Sequence, residues 1–135
     1  MKKLLSLFLA TLLCFSCCLC VSAQGVQPRW KVLSSLGLDL KNYNGIYNNA
    51  EVITSAQCGR SEIRMDFCVT ITRWNGSAYV DTDLSWTDSG YLTVGVSKKF
   101  RLGEGNYVAR VDVSLYDKNG AFIETVTSYS NQIVI

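Results

Sequence analysis

Along most of this chain, apolar and polar residues alternate one for one. Trp30, Val32, Leu36, Leu38 and Leu40 share one parity, while Gly37, Asp39 and Lys41 take the other. Ile63, Met65, Phe67, Val69 and Ile71 alternate in the same way with Glu62, Arg64, Asp66, Thr70 and Thr72. Leu92, Val94, Val96 and Phe100 form a third set, and Tyr107, Ala109, Val111, Val113 and Leu115 a fourth. Side chains along a strand point to opposite faces in turn, so this pattern marks strands with one face buried and one wet. No stretch after the first residues carries a sustained helical stripe. The pattern therefore predicts an all-β domain with strands near 30–41, 49–57, 62–74, 78–86, 91–100, 106–116 and 121–129. Seven short strands with turns at this spacing are expected of an immunoglobulin-like β-sandwich. A closed barrel is the alternative, and nothing repeats evenly enough to favour it.

Two turn signals set the expected registers. Asn75-Gly76 is a strong hairpin signal, because a tight two-residue turn needs positive φ at both central positions. With those two as the loop, Arg73 pairs with Ala78, Ile71 with Val80, Val69 with Thr82, Phe67 with Leu84 and Met65 with Trp86. Asp117-Lys118-Asn119-Gly120 is the second signal. A three-residue loop ending in a left-handed Gly120 sets Leu115 opposite Ile123 and Val113 opposite Thr125, whereas a two-residue loop would set Leu115 against Glu124, a poor core pair. Asp-x-Asn-Gly also opens calcium loops, but the remaining ligand positions do not follow, so this segment is turn chemistry.

The N-terminus carries an address. Met1-Lys2-Lys3, an apolar run from Leu4 to Val21 and Val21-Ser22-Ala23 before Gln24 have the layout of a secretory signal peptide spanning 1–23. The expected secreted domain is 24–135, and removing 23 of the 135 residues leaves 112, enough for one core. Losing Lys2 and Lys3 reduces 13 basic residues to 11, against 11 acidic ones. A neutral chain offers no electrostatic footprint for nucleic acid and no polybasic grip on anionic lipid. Neither Cys17 nor Cys20 has the residues that a lipidation signal requires before it, so no stable membrane anchor is expected. No sorting motif or hydrophobic tail follows Tyr129, and release, or loose association with a cell wall, is the expectation.

Only Cys58 and Cys68 of the six cysteines lie outside the leader. Two cysteines in an exported chain suggest a disulfide. Against that, a cysteine in the turn before a strand and another at its middle sit further apart than the ~7 Å Cα limit for a bridge. Bridge and separate thiols both stay open. The chain has no histidine, which removes the commonest general base and zinc ligand, and with them any Ser-His-Asp site. Neither a metal nor a cofactor is expected.

Gly103-Glu104-Gly105-Asn106-Tyr107, leading into an alternating strand, resembles the tyrosine corner of immunoglobulin-type folds, where a tyrosine bonds backbone a few residues upstream. Ala109 stands two residues later, where antibody domains have cysteine, so their inter-sheet disulfide is absent. Gln27-Pro28-Arg29-Trp30, Gly105-x-Tyr107 and Glu124-Thr125-x-Thr127-x-Tyr129-Ser130 together resemble small exported proteins of Gram-positive bacteria. The resemblance implies a single immunoglobulin-like domain behind a signal peptide, from a family with no assigned activity. It supplies no catalytic residue.

The registers place Trp74 and Tyr79 on the wet face of one sheet near one hairpin, and Tyr116, Phe122 and Val126 near the other, with Val108 between them in parity. Aromatic rings on a solvent parity suit recognition of a glycan or an extracellular protein; cross-strand aromatic pairs also simply stabilise an exposed sheet. Arg64, Asp66, Asp81, Asp83, Arg110, Asp112 and Glu124 share that face. Paired carboxylates can serve a glycosidase, but only in a cleft that excludes water, and interspersed charges on a flat face serve solubility instead. The expected role is a non-enzymatic recognition or adhesion module. The alternative is an assembly subunit whose apolar tail Asn131-Gln132-Ile133-Val134-Ile135 adds to a neighbour's sheet edge.

Overall fold

The computed structural model describes residues 30–43 and 45–135, so the expected signal peptide and its expected cleavage site lie outside the described residues. Eight strands form: β1 (Leu33–Asn42), β2 (Ala50–Cys58), β3 (Arg64–Trp74), β4 (Tyr79–Tyr91), β5 (Thr93–Phe100), β6 (Asn106–Tyr116), β7 (Phe122–Tyr129) and β8 (Ile133–Val134). They make two antiparallel sheets, β1-β2-β5 and β4-β3-β6-β7, with β8 added on β6. No helix is present among the described residues.

The alternation read from the sequence explains why the sheets face each other. Met65, Phe67, Val69 and Ile71 of β3 and Ala109, Val111, Val113 and Leu115 of β6 are buried, as are Leu40, Val52 and Ala56 from the other sheet. A polar residue also belongs to this core. Thr54 is buried, and its hydroxyl donates to the Gly37 carbonyl at 2.7 Å, which satisfies a group that would otherwise cost stability. At the entry to β6 the Tyr107 hydroxyl donates to the Gly103 carbonyl at 3.1 Å, four residues upstream.

The first hairpin keeps its faces but not its expected register. Arg73 pairs with Val80 instead of Ala78; past an irregularity between Thr70 and Thr72, Val69 pairs with Trp86, Phe67 with Asp88 and Met65 with Gly90. These displacements are two and four residues. An even slip leaves every side chain on its original face, which is why the face assignment stands while the partners change. The turn itself is wider than two residues, with the Asn75 N–H donating to the Ala78 carbonyl. Gly76 has φ 104°, but Asn75 is not in the positive-φ region. Asn75 shapes the turn by another route, its side-chain oxygen accepting from the Ser77 and Ala78 N–H groups and the Ser77 hydroxyl.

The second hairpin forms the expected three-residue loop, with Gly120 at φ 81° and Tyr116 opposite Phe122. A one-residue irregularity follows at once, so Leu115 pairs with Glu124 and Val113 with Val126. An odd slip exchanges the two faces. Val126, expected on the wet face, is therefore a core residue, and Val108 is buried as well. Glu124 avoids the core by turning to the chain entering β1, where Oε1 accepts from the Lys31 and Val32 N–H groups.

Two further findings concern turns and termini. The segment 87–90, expected to turn, continues β4; Leu92 alone, at φ 65°, carries the chain from one sheet to the other. The C-terminal tail pairs with its own sheet. Tyr107 pairs with Ile133 and Asn106 with Val134, and Gly105 and Ile135 exchange backbone hydrogen bonds.

Candidate functional site

The outer face of the β4-β3-β6-β7 sheet displays an aromatic pair at each of its two ends and the exposed Tyr129 on the edge strand β7 between them. At one end Trp74 pairs with Tyr79 across the hairpin, their ring centroids 5.2 Å apart and tilted by 58°. Trp74 is 39% exposed and Tyr79 37%, so each ring has one side packed and the other open. Asn106 lies on β6 beside Trp74, and Gln132 stands just before β8. These four residues line a shallow depression of about 270 Å³. Neither the Asn106 nor the Gln132 side-chain amide has a hydrogen-bond partner among the described residues.

At the other end Phe122 pairs with Tyr116, Tyr116 with Arg64 and Arg64 with Tyr91. The result is one row across β7, β6, β3 and β4. The Tyr116 and Phe122 rings meet nearly edge to face, with centroids at 5.9 Å, and the Arg64 guanidinium sits 4.8 Å from the centre of the Tyr116 ring. Phe122 is 61% exposed; Tyr116 is half-buried beneath its neighbours. Tyr91 is the member of this row that the sequence did not reveal, because it was expected to open the next strand, 91–100, and instead ends β4. The two aromatic pairs are ten residues apart along β3, or roughly 33 Å at about 3.3 Å per residue. They are separate platforms.

Between them, Tyr129 apart, the face is polar and tied down. Arg110 makes a two-pronged pair with Asp81, at 2.9 and 3.0 Å, and its Nε donates to Asp112 at 3.0 Å. Asp112 also accepts from the Thr127 hydroxyl at 2.6 Å. The bonds to Asp81 first, and to Asp112 second, push the Arg110 guanidinium still further toward its charged form against a partial burial that opposes it. Arg64 similarly holds Asp66 at 3.0 Å. A broad depression of about 620 Å³ lies over Asp66, Cys68, Thr87, Asp112, Ser114 and Tyr116, and the Asp66 and Asp112 carboxylates at its edge already accept bonds from Arg64, Arg110 and Thr127.

The two cysteines are free thiols. Cys58 is buried at the end of β2, donating to the Val32 carbonyl, whereas Cys68 sits half-exposed on the outer face of β3 beside Thr70. They belong to different sheets, and Cys68 points away from the core that Cys58 enters. The bridge weighed from the sequence is not formed.

No family model, no curated protein and no solved structure matches the chain.

Proposed function

We propose that this chain is a secreted, immunoglobulin-like recognition or adhesion module that binds a glycan or an extracellular protein through the outer face of the β4-β3-β6-β7 sheet. The observation that carries this reading is the open Trp74–Tyr79 pair, bordered by two amides with no hydrogen-bond partner among the described residues. Rings placed on a solvent face cost hydration and contribute little to the core, and a rigid aromatic surface is what a binding site gains most from. The immunoglobulin-like part of the reading is supported by the three-on-four strand order and by the bond from Tyr107 to Gly103. Secretion is supported by the leader-like first 23 residues. We assign no catalytic role: Asp81 and Asp112 have their oxygens engaged by Arg110 and Thr127 on an open sheet face.

A screen of the purified protein against glycan and extracellular-protein arrays, beside its Trp74→Ala/Tyr79→Ala variant, tests the proposal. The parent protein should bind at least one component that the variant loses, while the stability of the variant changes by about 1 kcal/mol or less. Binding that survives in the double variant, or a variant that unfolds, would contradict it.

A further inference from the structure

Resting on that recognition reading, we infer that the depression bordered by Trp74, Tyr79, Asn106 and Gln132 is a subsite for one uncharged sugar ring. Its size sets the first limit. At about 270 Å³ it falls below the ~300–1,000 Å³ of sites that hold drug-sized ligands, and it suits a single ring better than a folded segment.

Its chemistry sets the second. A pyranose ring has a face of C–H groups and an edge of hydroxyls. The face packs on an aromatic ring whose π-surface is negative, and each hydroxyl needs a partner that can donate or accept. Trp74 and Tyr79 supply the surface, tilted by 58° so that they form a shallow wedge instead of a flat plane. Asn106 and Gln132 supply amides that offer both donors and an acceptor, and neither amide bonds another of the described residues. A residue kept only for structure would be expected to close its hydrogen bonds within the fold, as Asn75 does in its turn and Asn131 does with the Leu40 backbone.

Charge sets the third. The nearest acidic group along β4, Asp81, is held at both oxygens by Arg110. The neighbouring Arg73 is directed to the Glu104 carbonyl and lies over the Tyr107 ring. Arg73 keeps its positive charge but is not among the four residues that line the depression, all of them uncharged, so an anionic sugar finds no counter-ion within it. An uncharged ring loses nothing by that.

Calorimetric titration of the purified protein tests the inference with three probes: neutral pyranose oligosaccharides, the same oligosaccharides carrying a uronic carboxylate, and short aromatic peptides. A neutral oligosaccharide should bind. Trp74→Ala should weaken it more than about tenfold, and Asn106→Ala and Gln132→Ala several-fold each. The carboxylate should give no gain. The Gln132→Ala change alters an exposed, unpartnered side chain, so it reports on binding even if Trp74→Ala does not fold. Preference for the anionic probe, or for a peptide held by Trp74, would overturn the neutral-sugar assignment and leave recognition at this face standing. Loss at Trp74 with no effect at either amide would do the same. A neutral sugar whose affinity is indifferent to Trp74, Tyr79 and both amides would overturn both readings, and binding of none of the three probes would overturn this inference.

Discussion

Single side chains decide several features that alternation alone leaves open. The hydroxyl of Tyr107 fixes the loop before β6 by reaching the Gly103 carbonyl, and the ring beneath it is buried. Tyr107→Phe keeps that packing and removes the bond, so it should cost about 1 kcal/mol, read as a lower denaturation midpoint with an unchanged denaturant dependence. An unchanged midpoint would mean that water replaces the bond at no cost. The Gly-x-Tyr spacing made this contact legible in the sequence. The work of Asn75 was only half legible. An Asn-Gly pair announces a turn, yet the side-chain oxygen of Asn75 accepting from Ser77 and Ala78 selects a wider loop than positive φ at both positions would give.

At the scale of strands, parity was readable wherever a buried face imposed it, and register was not. All seven expected strands are present, with ends shifted by at most a few residues except at β4, which runs on through 87–90 to Tyr91. The β3–β4 hairpin slipped by even steps, so Trp74 and Tyr79 kept the outer face expected from their parity. The β6–β7 hairpin slipped by one, which sent Val126 inward. The sequence carries no local sign of that bulge. Glu124, which the slip sets opposite Leu115, finds its partners far away in the chain, at the Lys31 and Val32 N–H groups. The pairing of Val113 with Val126 gives a sharp contrast. Val126→Asp should destabilise the fold by at least about 3 kcal/mol by burying an unpaired charge, while Thr125→Asp should stay within about 1 kcal/mol. Equal effects in thermal denaturation would return Val126 to the surface.

For the molecule as a whole, the sheet edges speak for a discrete particle. The apolar tail that could have joined a neighbour is spent on β6. Lys98 pairs with the buried Val52 and so occupies an inward position on the edge strand β5, an arrangement that hinders another strand from adding there. Light scattering over a concentration series should accordingly show a monomer, and a concentration-dependent rise in mass would show that an edge pairs after all. The candidate site was legible in part at this scale. Trp74, Tyr79, Tyr116 and Phe122 could be placed on one face by parity, but Asn106 comes beside Trp74 through the β3–β6 pairing, and Gln132 only because β8 folds back along β6. The most direct measurement is an NMR shift map of the protein saturated with the strongest neutral oligosaccharide or protein ligand that binds it. The expected footprint covers the Trp74 indole N–H, the Tyr79 amide and the Asn106 and Gln132 side-chain amides; a footprint confined to the opposite sheet or to the loops at 59–63 and 117–121 would contradict recognition through this face.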